Sequence, residues 1–537
     1  MLIHARRAPA TAARTIRTCV AGLVLAACLW PLPARAAADA PARRFDIEEY
    51  RVEGNTLLPP AAIEAAVYGF LGPGRTAEDV EHARAALEKL YQSRGYATVS
   101  AEVPVQRVAD GVVVIHVSER RVGRLRVTGS RYFRLSDIKA GAPSLAEGRV
   151  PNLDDVKRDI LALNQWPDRA ITPVLKPGRA PDTVDVDLQV ADHLPLHGSL
   201  ELNNRQSADT TPLRVAGSLS YGDLWQRGDS ATVFFQVAPQ RTADALAYSA
   251  SYLFHVPGSK ISILASYFRS DSNVTAVGST DVVGKGDIIG ARVLIPVAAD
   301  GETVQTFSVG ADNKRFGQDI TVSGSASKVP IEYTTLAASY QATWIGDAAT
   351  TNAILGLVAG LRPLSNSNYA FQINRKDAEP SFFDVRLSAD RLQELPAGLQ
   401  GFARAQAQLS REPLVPNEQL SLGGLDSVRG YRESEVLGDV GGSLQLELRS
   451  PELAEKLGGT PVNNLRLHTF YDVGRSGVYL PVYPQYHDSL LSSVGAGVRV
   501  RLYDHLNGEV QGARTLQTGQ VTPAGSEHFL FRVFGDF

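Results

Sequence analysis

Leu444-Gln-Leu-Glu-Leu-Arg449 and Val494-Gly-Ala-Gly-Val-Arg-Val-Arg-Leu502 carry the pattern from which the fold follows. Leu444, Leu446 and Leu448 alternate with Gln445, Glu447 and Arg449. Val494, Ala496, Val498, Val500 and Leu502 alternate with Gly495, Gly497, Arg499 and Arg501. A period of two marks a strand with one apolar and one polar face. The same texture returns in Ala231–Val237 and Leu246–Phe254 and fills the chain from Leu196 to Phe537. Such segments run ~10 residues, the length of a tilted strand crossing a bilayer.

The connections support a membrane setting over a soluble sandwich. Tight turns at Pro257-Gly258 and Tyr503-Asp504-His505 take their place among long stretches at Asp271–Lys285, Pro363–Ala378 and Arg411–Val440. Short turns on one side and long loops on the other are the asymmetry of an outer-membrane barrel. Phe529, Phe531, Val533, Gly535 and Phe537 close the chain at every second position, with a terminal aromatic. The reading is a membrane β-barrel over residues 196–537, of about sixteen antiparallel strands within ordinary boundary errors.

The N-terminus says where such a barrel would go. Residues 1–36 carry Arg6, Arg7, Arg14, Arg17 and Arg35 and no acid, with a largely apolar run from Cys19 to Leu32 and a small-x-small site at Ala34-Arg35-Ala36. That is the layout of a secretory signal peptide cleaved before Ala37. Leu25-Ala26-Ala27-Cys28 looks like a lipoprotein box, but the apolar run continues past it, so ordinary cleavage is expected. Losing the five arginines takes the formal charge from −3 to −8. A nucleic-acid partner is therefore not expected, since phosphate binding needs a positive surface. Cys19 and Cys28 are the only cysteines, so the mature chain would hold no disulfide and no cysteine metal site. No apolar run of ~18 residues follows residue 37, so no helical span is expected.

Residues 45–192 read as one α+β unit written twice, over 45–119 and 121–192. Arg51-Val52-Glu53-Gly54-Asn55 recurs as Arg126-Val127-Thr128-Gly129-Ser130. In the first copy Thr76 with Asp79 approximates a capping box. Val80, Ala83, Leu87, Leu90 and Tyr91 then make one apolar stripe, and Gly95 ends the helix. Strands are expected near Thr98–Gln106 and Val112–Ser118. In the second copy Asn152 caps a helix with Leu153, Val156, Ile160 and Leu163 on one face, and Val184 to Val190 alternate as a strand.

Two segments carry the chemistry. Around Phe470, alternation sends Leu465, Leu467, Thr469, Tyr471 and Val473 to lipid and Arg466, His468, Phe470, Asp472 and Gly474 to the lumen. A lumen carboxylate shielded from water needs a partner. Arg429, in the long loop 411–440, offers a planar two-pronged fork that lysine cannot reproduce. Gly423, Gly424 and Gly430 permit tight backbone beside an inner wall.

Val428-Arg429-Gly430-Tyr431 and Phe470-x-Asp472-x-Gly474 resemble the loop and strand motifs of two-partner secretion outer-membrane transporters, the haemolysin and filamentous-haemagglutinin transporter family. The repeated unit looks like paired POTRA domains, so the resemblance spans the mature chain. It implies that the loop tip enters the barrel, that Arg429 pairs with Asp472, and that Tyr431 and Phe470 pack nearby. It implies that Phe537 ends the insertion signal read by the barrel assembly machinery. It implies a secreted partner protein, a large exoprotein such as a haemolysin or adhesin, caught in the periplasm and passed through the outer-membrane lipid bilayer by a monomer. Family members often begin with a plug helix followed by a linker; Ala37–Arg44 are too few for both, so the inserted loop is expected to be the main obstruction.

Other signals are weaker. Arg227-Gly228-Asp229 sits where a tight turn is needed and reads as that turn. Pro195 breaks any helical pairing of His193 with His197 as metal ligands. There is no Gly-x-Ser-x-Gly elbow, phosphate loop or His-Glu-x-x-His, so neither catalysis nor a cofactor or metal is expected. The competing readings are an assembly factor for other barrels and a passive channel; a porin would have no unit like 45–192.

Overall fold

The computed structural model describes residues 43–537 apart from 109, 272–273, 278–279, 284, 300–301, 323–324, 455–460 and 482–485. The signal peptide, both cysteines and most of the Ala37–Arg44 segment lie outside the described residues. Two compact units form, and the division between them passes through the second repeat, whose Arg126–Pro143 and Ile160–Val174 group with the barrel.

In the first repeat, the helix Ala77–Ser93 starts on a true capping box. Thr76 Oγ1 accepts from Asp79 N, and the Asp79 carboxylate accepts from Thr76 N at 2.9 Å. Both orphan donors at the helix start are thereby satisfied. Val80, Ala83, Leu87 and Tyr91 face inward, and the last three pack on Ile63, Ile115 and Val117. The sheet has Val112–Glu119 in the centre, flanked by Glu49–Glu53 in parallel and by Val99–Glu102. The strand expected over Thr98–Gln106 stops at Glu102 because Pro104 has no N–H to give the ladder. The Gln106 side chain takes over, donating to Val114 O at 2.7 Å and accepting from Val114 N at 2.8 Å.

The repeat is visible in geometry as well as in letters. Gly54 and Gly129 both have positive φ, at +88° and +91°, and a Cβ there would lie 2.3 and 2.4 Å from the carbonyl oxygens of Val117 and Val190. Beyond each glycine a carboxylate collects the amides of the turn. Glu119 accepts from Thr56 N at 2.8 Å, Leu57 N at 3.0 Å and Tyr91 Oη at 3.0 Å. Asp192 accepts from Arg131 N at 2.8 Å, Tyr132 N at 2.9 Å and Ser130 Oγ at 3.0 Å. Burial pushes both carboxyls up, but these bonds outweigh it and hold both pKa values below the ordinary range.

In the second repeat Asn152 Oδ1 accepts from Asp154 N at 3.0 Å, capping the helix Leu153–Leu163. Val156 and Leu163 are buried there, but Leu153 is 44% exposed, because the first residue of the helix overshoots the apolar face. Its sheet runs in the order Arg121–Thr128, Thr183–Asp192, Arg169–Pro177.

The remainder is a closed antiparallel barrel of sixteen strands, the first, Leu196–Asn203, pairing with the last, Glu527–Asp536. Closure is what lipid demands, because an open strand edge would leave polar backbone in hydrocarbon. Leu444, Leu446 and Leu448 are exposed to the outside while Gln445 and Glu447 are buried inside. Arg227 and Gly228 belong to a tight turn, with φ +79° at Gly228. Two of the long connections carry structure of their own. Asp271–Lys285 holds a hairpin, Val274–Val277 with Thr280–Val283, and Pro363–Ala378 holds the helix Asn368–Asn374. Thr303–Val322 and Ser325–Ile345, 20 and 21 residues long, stay paired out to Val322 with Ser325. They exceed the ~10 residues a bilayer needs and so project beyond it.

Because the folded pKa of Glu119 is depressed, its contribution is present above the ordinary carboxylate pKa and is lost as pH falls through the depressed value. Glu119→Ala is expected to cost about 1.5–3 kcal/mol near neutral pH, the scale of a charged hydrogen-bond set. Urea unfolding of the periplasmic repeats should show that gap at pH 7 and its disappearance in acid.

Candidate functional site

A sixteen-strand barrel encloses more space than its own wall side chains fill. Here the chain between Ser410 and Val440 turns inward and occupies it. The segment carries a small hairpin, Leu420–Leu422 with Val436–Gly438, and its tip presents Val428, Arg429, Gly430 and Tyr431, all buried.

Arg429 is 4% exposed and Asp472 is fully buried. Nε reaches Asp472 Oδ2 at 2.7 Å, Nη2 reaches Oδ1 at 2.8 Å, and the backbone N of Arg429 donates to Oδ2 at 3.0 Å. The remaining arm, Nη1, donates to Glu447 Oε2 at 2.9 Å. The guanidinium carbon stands 3.6 Å above the centre of the Phe470 ring, a cation on an aromatic face. One planar cation is thus held by two carboxylates at its edges and by a ring beneath.

The flanking motif residues shape the seat. Gly474, two residues past Asp472 on the same face, has no side chain because Val428 fills that place. A Cβ on Gly474 would lie 2.9 Å from Val428 Cγ2 and 3.2 Å from Leu422 Cδ1. Val428, Leu422, Val436, Tyr431 and Leu491 form one apolar cluster around it. Gly430 takes φ +91° and passes the wall at Ala513. Tyr431 Oη donates its one hydrogen to Gln517 O at 2.6 Å, with Ser492 O 3.0 Å away. Phe537 lies elsewhere: its backbone exchanges hydrogen bonds with Gly198 at the barrel seam, and its ring is exposed to the outside.

Several participants were passed over in the sequence. Glu447 was legible as a lumen-facing acid, but not as a partner of Arg429. It also receives Arg449 at 2.7 Å and Arg499 at 3.1 Å, whereas Asp472 meets Arg429 alone among the described residues. The loop's acids are anchored separately. Glu418 binds Lys314, Tyr333 Oη at 2.8 Å and Arg386 at 2.8 Å. Asp426 and Glu433 share Arg205, at 2.7 and 2.9 Å. Glu435 accepts from Thr522 N at 2.6 Å, and Asp439 from Tyr479 N at 2.7 Å. No spacing rule finds these, because the partners lie far off along the chain, some on strands and some in connections.

A closed lipid-facing barrel, periplasmic α+β repeats and a loop bound in the lumen define an outer-membrane transporter of the POTRA–barrel kind. The family model for haemolysin secretion/activation proteins ShlB/FhaC/HecB matches residues 182–500, and that for the ShlB-type POTRA domain matches residues 45–119. The chain belongs to that family and is a two-partner secretion transporter, with a secreted exoprotein as its partner. It is similar to the outer membrane transporter CdiB of Dickeya dadantii (strain 3937), 26% identical over 429 residues, 78% of this chain and 74% of the relative. In fold it is similar to CdiB from Escherichia coli, with TM-score 0.60 at 20% identity over 94% of this chain and 93% of the other. It is also similar to BamA from Haemophilus ducreyi lacking POTRA domains 1–3, with TM-score 0.56 at 14% identity over 92% and 100%.

Lysine has one compact charge and cannot grip Asp472 with two donors while reaching Glu447. Arg429→Lys is therefore expected to loosen the loop almost as much as Arg429→Ala, and Asp472→Asn added to either should change little further. Single-channel conductance in planar bilayers reads this, with larger and more frequent openings than the parent protein expected in all variants.

Proposed function

We propose that Arg429 and Asp472 form the lock that keeps the loop in the lumen, with Val428, Gly430, Tyr431, Phe470 and Gly474 shaping its seat. The observation that carries this reading is the buried two-pronged contact between the loop tip and the wall. Taking one partner away from such a pair costs about 3–5 kcal/mol, because the other charge is left buried and uncompensated. When the tip leaves, water enters the lumen and hydrates Asp472, so opening and hydration assist one another.

In this reading residues 45–119 and 121–192 receive an unfolded partner in the periplasm by adding an extended segment to a free sheet edge. The partner then passes the lumen as the loop withdraws, and its folding outside supplies the direction of travel. The cargo is one large exoprotein, a haemolysin, adhesin or toxin, and the chain acts as a monomer that does no bond-making chemistry. Its own barrel is inserted by the assembly machinery reading the aromatic end at Phe537.

Arg429→Ala is expected to lower secretion of the partner several-fold while the barrel still assembles. A cysteine pair, V428C with G474C, should block secretion when oxidised and restore it on reduction. Normal secretion by Arg429→Ala, or by the oxidised pair, would sink the lock. A comparison of secreted and outer-membrane proteomes with and without the gene separates the readings: loss of one exoprotein supports the transporter with a dedicated cargo, and broad loss of barrel proteins supports an assembly factor.

A further inference from the structure

We propose that the outer face of the barrel carries a site for one glycerophospholipid of the periplasmic leaflet, centred on Arg391. The strand Phe383–Glu394 sends Leu387 outward, where it is 47% exposed, and the period of two puts Arg391 on that same lipid-facing side. Its cross-strand partner Thr351 lies in register with it on the neighbouring strand. Arg391 stands three residues before the end of its strand, next to the short turn Pro396–Gly398, which is the periplasmic side. A cation facing lipid is costly at the bilayer centre and tolerated near the interface, where it can reach headgroups.

This cation has no carboxylate within ion-pair distance among the described residues. Its guanidinium is steadied instead by neutral acceptors: Gln393 Oε1, at 3.3 Å from Nε and 2.7 Å from Nη2, and Thr351 Oγ1, at 3.3 Å from Nη1. Part of its five-donor fork is left unused, and such a fork matches the two free oxygens of a phosphodiester. Lumen arginines behave differently: Arg386 on the same strand, facing inward, meets both Asp384 and Glu418.

Beside Arg391 the wall is notched. Cross-strand pairing builds two parallel rows on the outer face, Arg391–Ala403–Leu446–Tyr471 and Gln393–Gly401–Leu448–Thr469. In both rows the second member is small while the third is leucine, so a trough follows Gly401 and Ala403 between the polar pair and the leucine ridge. The resulting groove has a volume of about 580 Å³. It offers an apolar floor for an acyl chain and one cation at the end where the phosphate would sit. A phospholipid is the occupant that satisfies both, since the groove faces the bilayer and the charge faces its periplasmic border. The proposal is independent of the cargo and of the loop, although the inner surface of the same wall holds Glu447 and Phe470.

The test is native mass spectrometry of the full chain released from micelles containing phosphatidylethanolamine or a diacylglycerol with the same acyl chains. The protein is expected to keep one phosphatidylethanolamine and to lose the diacylglycerol, which has no phosphate. Arg391→Gln removes the charge and Ala403→Phe fills the trough; each should weaken retention about ten-fold or more, on the scale of one lost charge-assisted contact. Heat-modifiable gel migration identifies variants that remain folded barrels. Equal retention of the two lipids by the parent protein overturns the proposal. So does parent-like retention of phosphatidylethanolamine by either folded variant.

Discussion

A guanidinium withdrawn from water in the middle of a barrel must be neutralised where it sits, and Asp472 and Glu447 are the groups placed around Arg429 to do so. The rest of the inner structure follows from that requirement. The loop must be long enough to bring Arg429 in from its strand ends, and the wall must be thin enough at Gly474 to admit Val428. The ring of Phe470 must lie flat beneath the cation. Without Asp472 the guanidinium would lose its two-pronged partner, a loss on the order of 3–5 kcal/mol for a buried pair.

The two carboxylates are not equivalent. Glu447 pairs with Arg449 and Arg499 as well as with Arg429, so its charge does not depend on the loop alone. Asp472 has no such reserve among the described residues. The asymmetry leaves Asp472 reliant on Arg429 among the described residues, while Glu447 belongs to a wall network with Arg449 and Arg499. The loop's own acids add a gradation: Glu418 and Asp439 hold the two roots, while Asp426, Glu433 and Glu435 hold the stretch on either side of the tip. Since these contacts share a segment, their energies will not add, and a root could remain attached while the tip moves.

The periplasmic repeats show a different economy of design. In each, a glycine with positive φ passes close under a carbonyl of the neighbouring strand, and an acid at that strand's end collects the turn amides. The five-residue motif ending at Asn55 and Ser130 is thus half of a device whose other half, Glu119 or Asp192, lies more than sixty residues on. Within the second unit, Trp166 lies against Gly228 in a short barrel turn, and Gln226 bonds the backbone of Tyr132 and Arg134. Those contacts join part of the second repeat to the barrel.

The barrel itself was legible in the sequence, because a strand with lipid on one side must alternate at every second residue and sixteen such strands write the rule many times. The same rule put Asp472 and Glu447 on the lumen face, and capping chemistry located the helices at Thr76 and Asn152. What alternation cannot carry is register. It says which face a residue takes, but not which residue stands beside it on the next strand, and it was the pairing of Glu447 with Phe470 that put a second carboxylate within reach of Arg429. Local pattern likewise ran the strand near Pro104 too long, and it is silent on the hairpin and the helix Asn368–Asn374 inside two long connections. The faces, the caps and the motif glycines can be read from the sequence, since they depend on near neighbours along the chain. The tertiary structure alone decided the shared cation, the anchored acids and the outer groove beside Arg391, since those depend on which strands closure of the barrel brings together.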